Sequence, residues 1–352
     1  MQWGHRHRLG NDEPQRGTVG DVRFLIGLLS LLPVAPAHIG SGDAVQPRDT
    51  VSIIESISPA LPDGVSVSIV GADTYVRLES RGVAVEVPGY QSEPYLRIDT
   101  NGVVQVNDGS MTTLLNSERY GRVELSSFVA SDVPQWRTIA TNGVAMWHDH
   151  RSHWMSPLRP ATIDDKGTVQ AFTIPMVVDG VDTSISGTLY LRDKASPAWW
   201  IIGVVGAVLI ALAALRARRL FYLAIAGISV CAFFVGIAEY FGLPDGARVT
   251  PVLMLFSLAA SVIAAIALLP KSAENGGLVA MSLNAGAGAT LVVTAWLCSD
   301  QVRAAYVPGL SQEWLARIAI PLMAGAGIVA VIDGVVRIAF PRQQLSVGSV
   351  EI

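Results

Sequence analysis

From about residue 197 to residue 340 the chain is nearly continuous apolar sequence, whereas residues 38–196 mix polar and apolar positions as a soluble domain does. Five apolar stretches stand out in the second half, at about 197–215, 220–241, 250–269, 278–298 and 314–338. Each is near the ~20 residues that carry a helix across the hydrocarbon core of a bilayer. The first half alternates with period two instead. Val65-Ser66-Val67-Ser68-Ile69 and Val83-Ala84-Val85-Glu86-Val87 place β-branched residues on one face, as half-buried strands do. Asp63-Gly64, Arg81-Gly82, Asn101-Gly102 and Asn142-Gly143 supply turns between them. The segments 168–178 and 181–191 flank Asp179-Gly180, a pair suited to the positive φ angles of a type I′ turn, and predict a long hairpin. The pattern predicts a mixed fold. An antiparallel β-sandwich-like domain, or two small β-modules in tandem, fills 38–196, and a bundle of five transmembrane α-helices fills 197–340.

Ahead of these lies a polar, basic stretch over residues 1–22, then the apolar run Phe24 to Val34. That run is too short for a span, and Pro33 and Pro36 break it. Ala35 and Ala37 occupy the small-residue positions before a cleavage site, so 1–37 reads as a signal peptide with a long n-region and His38 as the mature terminus. An uncleaved anchor and a translation start downstream of Met1 are the alternatives. The connections between apolar stretches give the same orientation independently. Arg216, Arg218 and Arg219 follow the first stretch, Lys271 the third, and Arg337 and Arg342 close the fifth. The other connections carry Asp245 with Arg248 and Asp300 with Arg303. Excess positive charge stays inside, which places the β-domain outside the plasma membrane and the tail 341–352 in the cytoplasm. Trp199, Trp200, Tyr240, Trp296 and Trp314 then fall near the outer ends, where amphipathic rings favour the interface.

Hydrophobic residues make up 51% and charged ones 15% of the chain, against the ~25% charged of an ordinary soluble protein. The deficit belongs to the membrane half, so a lipid bilayer is the implied partner. Residues 38–196 carry 19 acidic and 12 basic side chains and no arginine-rich tract, which argues against nucleic acid. The two cysteines, Cys231 and Cys298, lie in apolar stretches. The β-domain therefore has no disulfide and depends on its core.

Chemistry concentrates in WHDHRSHWM, residues 147–155, with His148, His150 and His153 between Trp147 and Trp154. In a strand, His148 and His150 share a face, while His153 needs a turn at Arg151-Ser152 to join them. Imidazoles so placed can share a metal, Met155 can add a thioether, and a free His38 amino group can chelate with its own ring. That donor set favours copper, although the Arg151 cation opposes it. The competing reading is architectural: Trp147, His150, Trp154 and Met155 pack a corner of the β-domain, with imidazoles bonded to backbone carbonyls. Acid–base catalysis is a third reading.

The membrane half is poor in polar chemistry. Glu239 lies near an outer end, Asn284 inside the fourth stretch, and Asp333 inside the fifth with Arg337 one turn on. Such groups are candidates for an ion or proton path, yet Asp333 and Arg337 can simply pair at i,i+4. Met254, Met281 and Met323 suit packing better than a copper route. Ala285-Gly286-Ala287-Gly288 and Ala324-Gly325-Ala326-Gly327 predict close approach of the last two long helices. No phosphate loop, nucleophile elbow, His-Glu-x-x-His or zinc-spaced cysteine pair occurs. Ser152, His153 and Asp149 imitate a triad in composition only, because triad members meet from distant positions.

The tract Gly89-Tyr90-Gln91-Ser92-Glu93-Pro94-Tyr95-Leu96-Arg97-Ile98, with Tyr120-Gly121-Arg122 and WHDHRSHWM, resembles a group of uncharacterised exported multi-spanning membrane proteins of high-GC Gram-positive bacteria. The resemblance covers the β-domain and the helices after it, and implies an envelope location without an activity. His38 and the histidine cluster alone give a distant likeness to periplasmic copper-binding β-sandwich proteins. Three functions follow as expectations. The first is a non-enzymatic membrane protein whose β-domain binds a partner or supports an envelope assembly. The others are copper binding or delivery, and transport of a small solute or ion.

Overall fold

The computed structural model describes residues 45–340, apart from 125, 127, 129, 130, 132, 249 and 274–276. The proposed signal peptide, His38 and the tail 341–352 lie outside the described residues.

Among the described residues, ten strands form two antiparallel sheets. β1 (Thr50–Ser58), β4 (Val85–Pro88), β5 (Pro94–Ile98), β6 (Val104–Asn107), β7 (Trp136–Ala140), β9 (Thr168–Val178) and β10 (Val181–Leu191) make the larger, in the order β1-β10-β9-β4-β5-β6-β7. β2 (Val65–Val70), β3 (Tyr75–Ser80) and β8 (Val144–Trp147) make the smaller, with β3 in the middle. The 168–191 hairpin closes as its turn chemistry demands: Asp179 has φ 49° and Gly180 φ 78°, and Val178 pairs with Val181. Period-two alternation does the rest. Val76 and Leu78 of β3 and Trp147 of β8 share one buried cluster with Val85, Leu96, Ile98, Ile174 and Ile185 of the larger sheet. Full burial of such side chains contributes about 1.5–3 kcal/mol each, which replaces the missing disulfide. A five-residue helix, α1 (Met111–Leu115), is capped by the Ser110 side chain accepting from the Thr112 N–H.

The second half is helical. α2 (Trp200–Arg216, entered by a single turn at Pro197–Trp199), α3 (Arg218–Phe241), α5 (Leu278–Leu297) and α7 (Trp314–Ala339) are long and apolar enough to cross a membrane. The third apolar stretch is shorter than its sequence predicts: α4 runs Val252–Ala267, 16 residues between Pro251 and Pro270. Proline disfavours helix at the residue before it and cannot donate within one, so the pair sets both limits. At 1.5 Å per residue α4 spans about 24 Å. A four-residue helix, α6 (Asp300–Arg303), joins α5 to α7.

α5 and α7 meet through the two Ala-Gly-Ala-Gly tracts. A Cβ on Gly288 would stand 2.6 Å from the Ala330 Cβ, and one on Gly327 would stand 2.5 Å from the Gly288 carbonyl oxygen. Only glycine permits that approach.

The sheets sit on the ends of the helices. Val45, Val70, Tyr75 and Met146 share a buried cluster with Leu243 and Ala247 of the α3–α4 connection. Arg48 and Tyr306 exchange two backbone hydrogen bonds, at 3.2 and 2.8 Å. The Ala305 N–H donates to Asp49 Oδ1 at 3.2 Å, and the Ala195 N–H donates to the Arg303 carbonyl at 2.9 Å.

Candidate functional site

β8 ends at Trp147, so the strand geometry expected for the histidines does not apply. Asp149 turns the chain instead: its carboxylate accepts from the Arg151 N–H at 3.1 Å and its carbonyl from the Ser152 N–H at 2.9 Å. Asparagine and aspartate favour such turns because their side chains bond the backbone two residues on. The same carboxylate holds the Arg151 guanidinium at 2.7 Å and the Trp147 indole N–H at 2.9 Å.

The turn brings the three imidazoles into one row. His150 and His153 rings lie 5.1 Å apart, His148 and His153 6.0 Å apart, both edge to face. Each ring spends one nitrogen on a backbone carbonyl. His148 Nδ1 donates to Thr74 at 2.7 Å, His150 Nε2 to Glu118 at 3.1 Å, and His153 Nδ1 to Trp154 at 3.1 Å. Burial pushes the His148 pKa down to about 3, against the opposing hydrogen bond to Thr74. Burial lowers His150 as well, and lowers His153 further, with the Arg119 cation adding to both. All three rings are therefore neutral at pH 7, and the charges nearby belong to arginine and aspartate.

Neutral imidazoles are competent ligands. Among the described residues no group of three or more His, Cys, Asp or Glu side chains is placed to hold a metal. The free nitrogen of His153, Nε2, is buried without a hydrogen-bond partner. Met155 is partly exposed and approaches Gly121, as the His150 ring does. Ser152 Oγ donates to the Asp149 carbonyl at 3.0 Å rather than to a histidine, so no nucleophile–base pair forms here.

The loop instead ties distant segments together. The Ser52 hydroxyl of β1 donates to the Ser152 carbonyl, and Gln170 Nε2 of β9 to the Arg151 carbonyl at 3.0 Å. Tyr90 stacks on His150 at 6.0 Å and accepts from its N–H at 2.8 Å. The tracts around Tyr90, Gly121 and the histidines thus meet: Tyr90 and Gly121 both approach His150, and Glu93 accepts from Ser110 and Thr112 at the start of α1.

Beneath the row lies a buried charge cluster that the sequence did not announce. Asp73, on a turn between β2 and β3, accepts from the Thr50 hydroxyl at 2.8 Å, pairs with Arg119 at 2.8 Å and lies 3.6 Å from Arg48 Nε. The Arg119 side chain is 1% exposed and that of Asp73 0%. Both arginines are scattered singly along the chain with no motif around them. The only available signal was Arg119 directly before the Tyr120-Gly121-Arg122 tract.

In the helices, Asp333 pairs with Arg337 at 2.7 Å as its spacing predicts, and also with Arg218 of α3 at 2.6 Å. Arg218 was read from the sequence only as a marker of orientation. Glu239 accepts from Gln301 Nε2 at 2.8 Å, and Asn284 is buried with its side-chain oxygen unpartnered. These polar groups sit on different helices: α3, α5 and α7. Comparison with known protein families, curated protein sequences and solved structures finds no match.

Proposed function

We propose that this protein is a non-enzymatic membrane protein whose exported, sandwich-like β-domain is held rigidly on the outer ends of five spanning helices, where it presents a binding surface to a partner in the cell envelope. The observation that carries the reading is the cluster of Val45, Val70, Tyr75 and Met146 with Leu243 and Ala247. Beside the core between its own two sheets, the domain shares this second cluster with a helix connection, which a merely tethered domain would not do. The two backbone hydrogen bonds between Arg48 and Tyr306 support the same seating. The basic residues at 216–219, at 271 and at 337 support the orientation. α4, though short, runs between two long helices and is counted as a span in this reading, because local thinning or tilt of neighbours accommodates a few ångströms of mismatch.

Copper binding is the competing reading, and the unpartnered His153 Nε2 with Met155 close to the His150 side of the row is what favours it. Calorimetric titration of the full-length protein in a neutral detergent with copper(II) separates the two. The account expects no stoichiometric binding, because no group of three or more ligand side chains is placed to hold a metal among the described residues. Sub-micromolar binding that His150→Gln abolishes, with the thermal transition intact, would move the function to metal handling.

A further inference from the structure

A cleft opens beside the histidine loop, between the end of β10 and the start of β1. Its floor is the Arg48 and Arg119 pair, and its rim carries Arg159 and Lys194. Asp49 is the carboxylate in its wall, lying 3.4 Å from Arg159 and 3.5 Å from Lys194. Asp73 lies underneath, already shared between the two floor arginines. Four cations therefore face two carboxylates, and the cleft keeps a net charge of about +2 with the nearby imidazoles neutral.

That surplus is unusual in a domain whose overall balance is acidic. Arg48 is only 12% exposed, and its Nε is buried without a hydrogen bond. Tyr120 hydrogen-bonds the Arg48 side chain but carries no charge, so two largely buried guanidiniums share the one Asp73 carboxylate, and an added anion would offset the surplus. Both guanidiniums meet at Asp73 Oδ1 and also line the cleft, and planar guanidiniums suit the oxygens of a phosphate. The volume, about 270 Å³, lies just under the ~300–1,000 Å³ of pockets that enclose drug-sized ligands, so it suits a head group.

Position narrows the source. Lys194 stands three residues before Pro197, where the turn leading into α2 begins, so the cleft rim is within about 10 Å of a membrane-crossing segment along the chain. Leu158, 74% exposed, and Trp154 make an apolar wall beside the cations. A phosphate at this level with hydrocarbon attached would meet charge and apolar surface together.

We propose that the cleft formed by Arg48, Arg119, Arg159 and Lys194 is a binding site for a phosphate-type anion, supplied by the head group of an anionic membrane lipid or by a small phosphomonoester in solution. The lipid source rests on the membrane seating proposed above; the anion site itself does not.

The test uses full-length protein and the double variant Arg159→Gln, Lys194→Gln. Both rim side chains are about half exposed, so the variant keeps the fold. In neutral detergent, glycerol 3-phosphate is titrated calorimetrically. In nanodiscs of phosphatidylcholine with or without phosphatidylglycerol, retained lipid is read by native mass spectrometry and stability by thermal melting. Flotation with liposomes reports membrane insertion separately. Binding of glycerol 3-phosphate that the variant weakens by about tenfold or more supports a soluble ligand. Selective retention of phosphatidylglycerol, lost in the variant, supports a lipid head group. No preference in either arm, or a preference that the variant leaves unchanged, overturns the proposal. Failure of flotation would overturn the membrane seating while leaving the glycerol 3-phosphate arm decisive for the site.

Discussion

Acid should unfold the β-domain through His148 before the carboxylates are titrated. The ring is 1% exposed, and its pKa is pushed down to about 3 by burial, against about 6.5 in an unfolded chain. Below pH 6.5 the unfolded state binds a proton that the folded state refuses. The stability held by the neutral ring is therefore complete above pH 6.5 and is lost as pH falls toward 3. One pH unit of this difference is worth about 1.4 kcal/mol, so lowering the pH from 6.5 to 5 removes about 2 kcal/mol through His148 alone. His153 shifts in the same direction and adds to the loss. The assay is denaturant unfolding of the full-length protein in detergent at pH 7 and pH 5. Fluorescence follows the β-domain, since Trp147 is buried and bonded to Asp149. His148→Gln keeps an N–H donor for the Thr74 carbonyl but cannot take up the proton. Its loss of stability between pH 7 and pH 5 should be smaller than that of the unaltered protein by about 2 kcal/mol. Equal losses in the two proteins would refute the argument that His148 is held neutral by burial.

Two substitutions probe the rest of the scaffold. Asp73→Asn leaves Arg48 and Arg119 buried without their shared carboxylate and should cost about 3–5 kcal/mol, read as a lowered thermal midpoint of the β-domain. Gly288→Val drives a side chain into Ala330 and the Gly327 carbonyl and should destabilise the helical part by about 1–3 kcal/mol. Gly286→Val, whose new Cβ meets nothing nearer than Ile263 at 4.0 Å, is its control and should leave thermal aggregation in detergent nearly unchanged.

The long-range plan of the molecule was legible because it rests on periodicity and run length. Alternation and Asp179-Gly180 located the β9–β10 hairpin residue for residue, and the apolar runs located four long helices. α4 came out short because the apolar run includes Pro251, which lies outside the helix it introduces, and ends just before Pro270. The histidine stretch was legible as a centre but not as a shape. Strand parity governed the expectation, but the strand ends at Trp147, and the chain turns across 149–152, over the expected Arg151-Ser152, with the Asp149 carboxylate bonding the Arg151 N–H. Asp73, Arg48 and Arg119 were invisible for a different reason. Their meeting joins residues 48, 73 and 119 through tertiary packing alone, and no local spacing encodes it. Arg218 reached Asp333 in the same way, across 115 residues.

The central claim, a β-domain seated outside a bundle of spanning helices, is tested most directly by where cysteines can be labelled. Single cysteines replace Asp182 at the tip of the β9–β10 hairpin, Arg216 at the end of α2, and Lys271 after α4, all three exposed, with Cys231 and Cys298 changed to serine. Intact cells are treated with a membrane-impermeant maleimide, then permeabilised and treated again. The account predicts labelling of Asp182→Cys in intact cells, and of Arg216→Cys and Lys271→Cys only after permeabilisation. Labelling of Arg216→Cys or Lys271→Cys in intact cells, or protection of Asp182→Cys, would contradict it.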